Sequence, residues 1–222
     1  MSTPRLTLYF DLLSPFSYVA FHILKNSPTF TKCDITYTPV LLRELFTICQ
    51  NPPPIAVKNK STWLNKERLY WSRRLNLPMC ETPPAGFPFP TVDVQSILLT
   101  LSERDPEKVA MVVERLYRGL WGDGNSQIVT PDGFMGVLED VFGVGIAGEI
   151  LEASKEPETQ LRLTENTQKA FGTGAFGLPW VECVNAQNET ECFWGVDHLE
   201  RVVEFLGLEK GDSRWGLGVS TK

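Results

Sequence analysis

The residue patterns typical of metal and redox centres are missing from this sequence. It has only two histidines, His22 and His198, and its five cysteines are widely spaced, with no Cys-x-x-Cys pair. No spacing of cysteine, histidine and acidic residues matches a zinc or iron site. Disulfide exchange needs a reactive thiolate, for which a Cys-x-x-Cys pair is a common source. We therefore expect no bound metal, and cysteines that stay reduced inside the cell.

Basic residues and long hydrophobic runs are also scarce. Lysine and arginine total 21 against 27 acidic residues, which gives a formal net charge of −6. Nucleic-acid binding needs clustered cations, and a membrane span needs about 20 consecutive apolar residues. Residues 1–5 lead straight into a strand pattern, without the apolar core of a secretory signal. We expect an intracellular protein with no nucleic-acid partner and no membrane span; cytoplasm, mitochondrion and peroxisome are not distinguished.

The first 45 residues predict a strand, a helix and a second strand. Residues 5–10 and 34–40 are rich in β-branched and aromatic residues. Between them Ser14 is a good helix N-cap, Pro15 suits the first helical position, and an apolar helix follows. This spacing predicts a right-handed βαβ unit.

The rest of the sequence predicts helices first and then a mixed segment. Helical patterns cover residues 61–76, 92–103, 106–121 and 132–153, and a further helix is expected over 158–171, strands over 180–184 and 190–194, and a last helix over 198–206. The order predicts an α/β, thioredoxin-like fold with a large helical insertion, as in DsbA-like proteins. The predicted domains are a discontinuous thioredoxin-like domain, residues 1–45 and 157–222, and a helical insertion domain, residues 46–156.

The start of the first helix is where a thioredoxin-like fold carries its reactive cysteines. Here the sequence reads Ser14-Pro15-Phe16-Ser17. A helix N-terminus still favours an anion through its unpaired N–H groups and its dipole. A thiol brought by a substrate has a pKa near 8.5. A hydrogen bond from the Ser14 hydroxyl would favour its thiolate form. The alternative is that Ser14 only caps the helix, and both roles can coexist.

Four motifs resemble one family of enzymes. Phe10 to Ser17 (FDLLSPFS) resembles the active-site segment of kappa-class glutathione transferases and of the related 2-hydroxychromene-2-carboxylate isomerases. Three other segments also resemble motifs of this family: Gly174 to Pro179 (GAFGLP), Asn51-Pro-Pro-Pro54 followed by Lys60, and Gly195-x-Asp197. The four occur in the family order and span most of the chain.

The resemblance implies that glutathione is the thiol substrate and that Ser14 is the catalytic residue. It makes Pro15 and Phe16 glutathione-binding residues, and it places Asn51 and Lys60 on the insertion side of the same site. A lysine there can pair with a carboxylate of glutathione or of an anionic substrate. Without the resemblance, Lys60 would be taken for a solvated surface lysine and Asn51 for a turn residue.

The resemblance also assigns residues from the C-terminal part of the chain. Leu178-Pro179 resembles the cis-proline element of thioredoxin folds, where the Leu178 backbone pairs with the cysteinyl backbone of glutathione. The backbone N–H of Val196 remains for a further contact, and Asp197 would receive the γ-glutamyl ammonium. The alternative for Asp197 is an acidic residue that favours the helix N-terminus.

Three positions depart from the family pattern. Val196 stands where the kappa class typically has serine, His198 where it has arginine, and Trp63 where tyrosine is common. These departures leave the second substrate open. Aromatic residues at 16, 63, 87 and 89 either line an apolar acceptor pocket or belong to the core.

The sequence thus favours a glutathione transferase of kappa type that delivers a glutathione thiolate to an electrophile. The first alternative is a glutathione-dependent 2-hydroxychromene-2-carboxylate isomerase-like enzyme. The second is a non-catalytic thioredoxin-fold binding module. The implied partners are glutathione and a small electrophilic or aromatic substrate, and the resemblance implies a homodimer.

Overall fold

A mixed four-stranded sheet lies at the centre of the computed structural model, which describes residues 2–209. The strands are β1 (Arg5–Phe10), β2 (Asp34–Pro39), β3 (Trp180–Val184) and β4 (Thr190–Trp194), in the order β2-β1-β3-β4. β1 is parallel to β2, whereas β3 is antiparallel to both β1 and β4. The predicted βαβ unit and the C-terminal hairpin are therefore confirmed.

Nine α-helices accompany the sheet within the described residues. They are α1 (Pro15–Asn26), α2 (Leu42–Ile48), α3 (Lys60–Leu75), α4 (Val92–Arg104), α5 (Pro106–Tyr117), α6 (Pro131–Phe142), α7 (Val144–Ser154), α8 (Pro157–Gly172) and α9 (Leu199–Phe205). A short 3₁₀ turn, Val196–His198, leads into α9. Seven helices begin at or within one residue of the predicted starts. Four of these seven begin with a proline, which is a start signal that the sequence shows directly.

Three features of the helical part differ from the sequence prediction. The single helix expected over 132–153 is wrong, because Gly143 has a φ of +78° and separates α6 from α7. The helix expected over 106–121 ends as an α-helix at Tyr117 and continues as a π-turn, Arg118–Gly122. α2 was not predicted, since it has only seven residues and no side-chain cap.

The core joins the sheet to the helical insertion. Leu8 and Phe10 of β1 are fully buried, as expected for a strand that is central in the sheet. Tyr117 at the end of α5 is equally buried, and its ring stacks on Tyr18 of α1 with the ring centroids 5.0 Å apart. Aromatic pairs of this kind contribute about 0.5–1.5 kcal/mol beyond the area they bury. The insertion is thus packed directly against the helix that carries Ser14.

A buried glutamine connects α4 with the ends of two strands. The side-chain amide nitrogen of Gln95 donates to the carbonyl oxygens of Phe10 and Val40, both at 2.9 Å. This fixes the carboxyl ends of β1 and β2, the edge of the sheet from which the Ser14 loop starts.

The remaining sequence predictions on organisation have mixed outcomes. The division at residues 45/46 and 156/157 stays a prediction. The end of the predicted thioredoxin-like domain, from residue 210 to 222, lies outside the described residues. None of the helices between residues 2 and 209 is long and apolar enough to cross a membrane.

Candidate active site

Ser14 is the N-cap of α1, as the sequence predicts. Its backbone is extended, and its Oγ accepts a hydrogen bond from the Ser17 N–H at 3.1 Å. The side chain is only 4% exposed. Among the described residues, no acceptor lies within hydrogen-bonding reach of the Ser14 hydroxyl hydrogen, and no acceptor pairs with the Phe16 N–H. Two donors therefore remain for a ligand at the start of α1.

The loop before Ser14 is held by a buried carboxylate. Asp11 Oδ1 accepts from the Leu13 N–H at 2.9 Å, and Oδ2 accepts from the Leu42 N–H at 2.9 Å and the Thr91 hydroxyl at 3.1 Å. Burial raises the pKa of Asp11 to about 6, although these three hydrogen bonds favour the ionised form and oppose the shift. One carboxyl group thus fixes the Ser14 loop against the starts of α2 and α4.

The backbone of the same loop is bonded to the helical insertion. The Tyr117 hydroxyl donates to the carbonyl oxygen of Asp11 at 3.0 Å, and Trp121 Nε1 donates to that of Leu12 at 2.8 Å. Both aromatic side chains are buried. The loop is thus held by hydrogen bonds to the Asp11 side chain and to two of its backbone carbonyls. The position of Ser14 is therefore set by tertiary structure as well as by the helix cap.

Ser14 opens onto a cavity of about 720 Å³. Of the residues predicted for the site, six line it: Ser14, Pro15, Phe16, Asn51, Lys60 and Leu178. Three cationic side chains line it, those of Arg43, Lys60 and Arg68, and no acidic side chain of the described residues does. The cavity is therefore suited to an anionic ligand, in a chain whose net charge is −6.

One face of α3 forms a long side of this cavity. The lining residues of α3 are Lys60, Ser61, Leu64, Asn65 and Arg68. Residues four positions apart lie on the same face of an α-helix, so these five form one stripe. Lys60 is exposed at the start of the helix, whereas Arg68 is only 2% exposed. The cationic groups on this stripe thus extend from the surface into the interior.

Arg68 binds neutral acceptors. Its Nε donates to Asn65 Oδ1 at 2.9 Å, and its two terminal nitrogens donate to the carbonyl oxygens of Cys80 at 2.6 Å and Glu81 at 2.8 Å. No ion pair of the described part of the chain involves Arg68. Burial lowers the pKa of its guanidinium, and the adjacent Cys80 side chain opposes that shift. Arginine nevertheless stays protonated in proteins.

An apolar aromatic wall faces Arg68. Phe16, Phe87 and Trp121 line the cavity, and Phe87 packs edge-on against Trp121 with centroids 5.4 Å apart. The Arg68 guanidinium lies 5.6 Å from the centroid of the Trp121 ring. The other two aromatic residues proposed for this wall, Trp63 and Phe89, do not line the cavity. Trp63 is 57% exposed, and the Phe89 ring packs against Phe87.

Two loops meet at another side of the cavity. Asn51 Nδ2 donates to the carbonyl oxygen of Phe176 at 2.9 Å. The Leu178–Pro179 peptide bond is cis, as the resemblance implies, and Leu178 lines the cavity. Within residues 2–209, no hydrogen bond is formed by the Leu178 N–H or C=O, so both groups are available to an extended ligand.

The remaining predicted site residues lie next to the cavity but not in its wall. The Gly195 N–H donates to the Pro179 carbonyl oxygen at 3.0 Å, which places the Gly195–Asp197 turn beside the cis-proline. Val196 is buried, and its side chain does not line the cavity. The Asp197 side chain is 73% exposed and lies 3.5 Å from His198 Nδ1.

Sequence reasoning missed three residues of the cavity wall: Arg43, Arg68 and Trp121. Arg68 lies in a helix recognised as rich in basic and aromatic residues, but nothing in the local sequence separates it from surface arginines. Trp121 reaches the cavity from a π-turn, which has no sequence signature. The described residues contain no group of three or more Cys, His, Asp or Glu side chains that could hold a metal.

Comparisons with known proteins show which family the chain belongs to. A family model described as a DSBA-like thioredoxin domain matches residues 5–207. The chain is 28% identical to glutathione S-transferase kappa 1 of Caenorhabditis elegans over 209 residues, covering 91% of each chain. It is 27% identical to 2-hydroxychromene-2-carboxylate isomerase of Sphingobium xenophagum, covering 92% of this chain and 98% of that protein.

The fold is also found among solved structures. The structure of a 2-hydroxychromene-2-carboxylate isomerase superposes with a TM-score of 0.75 at 20% identity, covering 91% of this chain and 94% of that chain. The predicted α/β thioredoxin-like, DsbA-like fold is therefore confirmed, as is the resemblance read from the four motifs.

Proposed function

Because this chain belongs to the family of DSBA-like thioredoxin domains, we propose that it is a glutathione transferase of kappa type that holds glutathione as thiolate through Ser14. The observation that carries the proposal is the pair of donors at the start of α1. Among the described residues, neither the Ser14 hydroxyl hydrogen nor the Phe16 N–H is donated to an acceptor, and both residues line the cavity. A sulfur placed there would receive both hydrogen bonds and the positive end of the helix dipole.

The energetic requirement is modest. Lowering a thiol pKa from about 8.5 to about 6.5 takes roughly 2.7 kcal/mol of preferential thiolate stabilisation. A hydrogen bond to a charged group contributes about 1.5–3 kcal/mol, and the helix N-terminus about 0.3–1 kcal/mol. Two donors and a dipole therefore supply the required amount without a metal.

The rest of the tripeptide fits the neighbouring groups. The unpaired Leu178 backbone would pair with the cysteinyl backbone, as an added strand does. Lys60 at the cavity mouth would pair with a carboxylate of glutathione, and Asn51 keeps the two loops around it in place. Asp197 would receive the α-ammonium group, with Val196 and Pro179 setting the turn that presents it.

The proposed reaction needs no group other than these residues and the two substrates. The thiol proton leaves to solvent when glutathione binds. The thiolate then attacks an electrophilic carbon: a carbon–sulfur bond forms, and a leaving group such as chloride departs with the bonding electrons. The rate gain comes from the larger thiolate fraction and from holding the two reactants together.

A glutathione-dependent isomerase of the 2-hydroxychromene-2-carboxylate type is the second candidate. It is favoured by the alignment that covers 98% of such an enzyme. Bound glutathione would add to an unsaturated substrate and leave again, so the same thiolate site would serve. The homodimer implied by the resemblance and the cellular compartment stay predictions.

Steady-state assays test this proposal. Wild-type protein should conjugate glutathione to a generic chloronitrobenzene. Ser14→Ala should lower kcat/KM by up to about 50-fold near pH 6.5, because a rise of the thiol pKa from about 6.5 to about 8.5 lowers the thiolate fraction from about one half to about one hundredth. Ser102→Ala on α4, remote from the cavity lining, is the matched control and should keep wild-type kinetics. Isomerisation of chromene carboxylate without conjugation would replace the transferase by the isomerase. Glutathione binding with no turnover of either substrate would overturn both.

A further inference from the structure

Arg68 is a buried cation with no anionic partner among residues 2–209. Its contacts are the Asn65 amide oxygen, two backbone carbonyls and the Cys80 side chain, and no carboxylate of the described residues pairs with it. A charge removed from water is costly unless an opposite charge or strong hydrogen bonds compensate it. Three of its five N–H groups bind the oxygens named above, which leaves donor capacity on the terminal nitrogens.

The position of Arg68 separates it from the glutathione carboxylates. It follows Lys60 by eight residues on α3, which places it about 12 Å further along the helix axis. Lys60 is exposed at the mouth of the cavity, whereas Arg68 is buried at its inner side. A tripeptide held at the mouth by Lys60 and at α1 by Ser14 would leave the inner side to another molecule.

The surroundings of Arg68 define what that molecule would be. The Trp121 ring lies against the guanidinium, and Phe87, Leu64 and the ring of Pro88 line the same part of the cavity. Such a surface favours a flat apolar body, and a planar guanidinium favours a planar carboxylate, which it can bind through two parallel hydrogen bonds.

We propose that Arg68 binds the carboxylate of the second substrate, so that the preferred electrophile is a flat, apolar acid. The inference rests on the proposed glutathione transferase function. Arg68 is then a specificity-determining residue: it selects the acidic electrophile and orients its ring across the aromatic wall, with the reactive carbon toward Ser14.

A matched pair of electrophiles tests the proposal. The enzyme is assayed with glutathione and either para-chloro-meta-nitrobenzoate or the corresponding benzamide. Each kcat/KM is divided by the rate constant of the uncatalysed reaction with the same electrophile, because the amide activates the ring more strongly than the carboxylate. The wild type should prefer the acid by about tenfold or more in this normalised ratio. Arg68→Met should reduce the ratio to about one, a loss of about 1.4 kcal/mol. Arg68→Lys keeps the positive charge but loses the planar pair of N–H donors, and it should give an intermediate ratio.

Arg73→Met is the matched control. Arg73 is an exposed cation of the same helix and does not line the cavity, so its removal should leave the acid-to-amide ratio at the wild-type value. A wild-type ratio near one, or a high ratio that survives in Arg68→Met, would overturn the proposal and assign Arg68 only to holding the carbonyls of Cys80 and Glu81. If Arg68→Met does not fold, the acid-to-amide ratios of the wild type and of Arg68→Lys still decide between the two outcomes.

A binding measurement separates this inference from the proposed function. Calorimetric titration with meta-nitrobenzoate, which has no leaving group, needs neither glutathione nor turnover. Its Kd should rise about tenfold in Arg68→Met, while that of meta-nitrobenzamide should not. Arg68-dependent binding in a protein that conjugates nothing would refute the transferase and retain the acid site. Conjugation without Arg68-dependent binding of meta-nitrobenzoate would retain the transferase and refute the acid site.

Discussion

The side-chain amide of Asn51 donates a hydrogen bond to the backbone carbonyl of Phe176, 125 residues away along the chain. This contact joins the Pro-rich loop before α3 to the glycine-rich loop that carries the cis-proline. Both loops line the cavity, so one amide fixes the distance between two of its sides. The two segments were selected from the sequence separately, and the hydrogen bond shows that they are parts of one surface.

Removing this hydrogen bond should affect glutathione binding in the cavity more than the stability of the fold. In Asn51→Ala we expect the KM for glutathione to rise about three- to tenfold, because the Phe176–Leu178 segment loses its tether. The free energy of unfolding should fall by only about 1 kcal/mol, the usual value of one hydrogen bond. Gln160→Ala, at an exposed amide of α8 that does not line the cavity, is the control for both measurements. An unchanged KM in Asn51→Ala would contradict the tethering role.

The buried carboxyl of Asp11 should make stability depend on pH. Burial raises its pKa in the folded state to about 6, above the value of 3.8 for an unperturbed group. The folded protein therefore binds this proton more tightly than the unfolded chain does. The stability that the protonated form contributes is present below pH 4 and is lost as the pH rises to about 6. The loss is about 3 kcal/mol, since each pKa unit corresponds to 1.36 kcal/mol.

Urea unfolding of the wild type and of Asp11→Asn across this pH range measures the effect. The variant loses hydrogen bonds to Leu42 and Thr91 and should be less stable than the wild type at every pH. It lacks the titrating group, so the wild-type advantage should shrink between about pH 4 and pH 6. A constant advantage would show that the Asp11 pKa is the same in the folded and unfolded states, and an advantage that grows with pH would show that folding lowers it; either result would contradict the prediction.

Trp121 should be part of the aromatic wall, and Trp63 should not. Trp121→Phe removes the hydrogen bond to the Leu12 carbonyl and part of a buried ring, so the free energy of unfolding should fall by about 2–3 kcal/mol. The KM for an aromatic electrophile should rise as well. Trp63→Phe, at an exposed position, should change neither quantity. Equal effects of the two substitutions on KM would refute this assignment of the wall.

Gly195 should be needed for its conformation and for the space beside Asp197. Its φ is +86°, and an added Cβ would lie 2.5 Å from Asp197 Oδ1. Gly195→Ala should therefore cost about 1–2 kcal/mol of stability, displace the Asp197 carboxylate and raise the KM for glutathione. Gly207→Ala also places alanine at a positive φ, +65°, but in open space, and should cost stability alone. A similar KM in the two variants would argue against a contact between Asp197 and glutathione.

The sequence predicts the parts of this molecule that depend on neighbouring residues. Ser14 and Pro15 carry a cap signal within one helical turn, and the structure has that cap. The break at Gly143 was missed, because a glycine inside an apolar periodic run is compatible with either one helix or two.

The inner part of the cavity depends on contacts between distant residues. Arg68 becomes a buried cation only because the Cys80–Glu81 carbonyls fold over its helix, and Trp121 reaches it from a turn 53 positions later. No local sequence pattern predicts these contacts. The motif resemblance found Ser14, Asn51, Lys60 and Leu178 of the cavity wall, but neither Arg68 nor Trp121.

The most direct test of the account is an ultraviolet titration of the glutathione thiolate on the protein. We predict that the thiol bound to the wild type titrates near pH 6.5, about two units below free glutathione, and that in Ser14→Ala its pKa returns toward about 8.5. A bound thiol whose pKa is the same in both proteins would contradict the central claim that the Ser14 hydroxyl keeps the sulfur ionised.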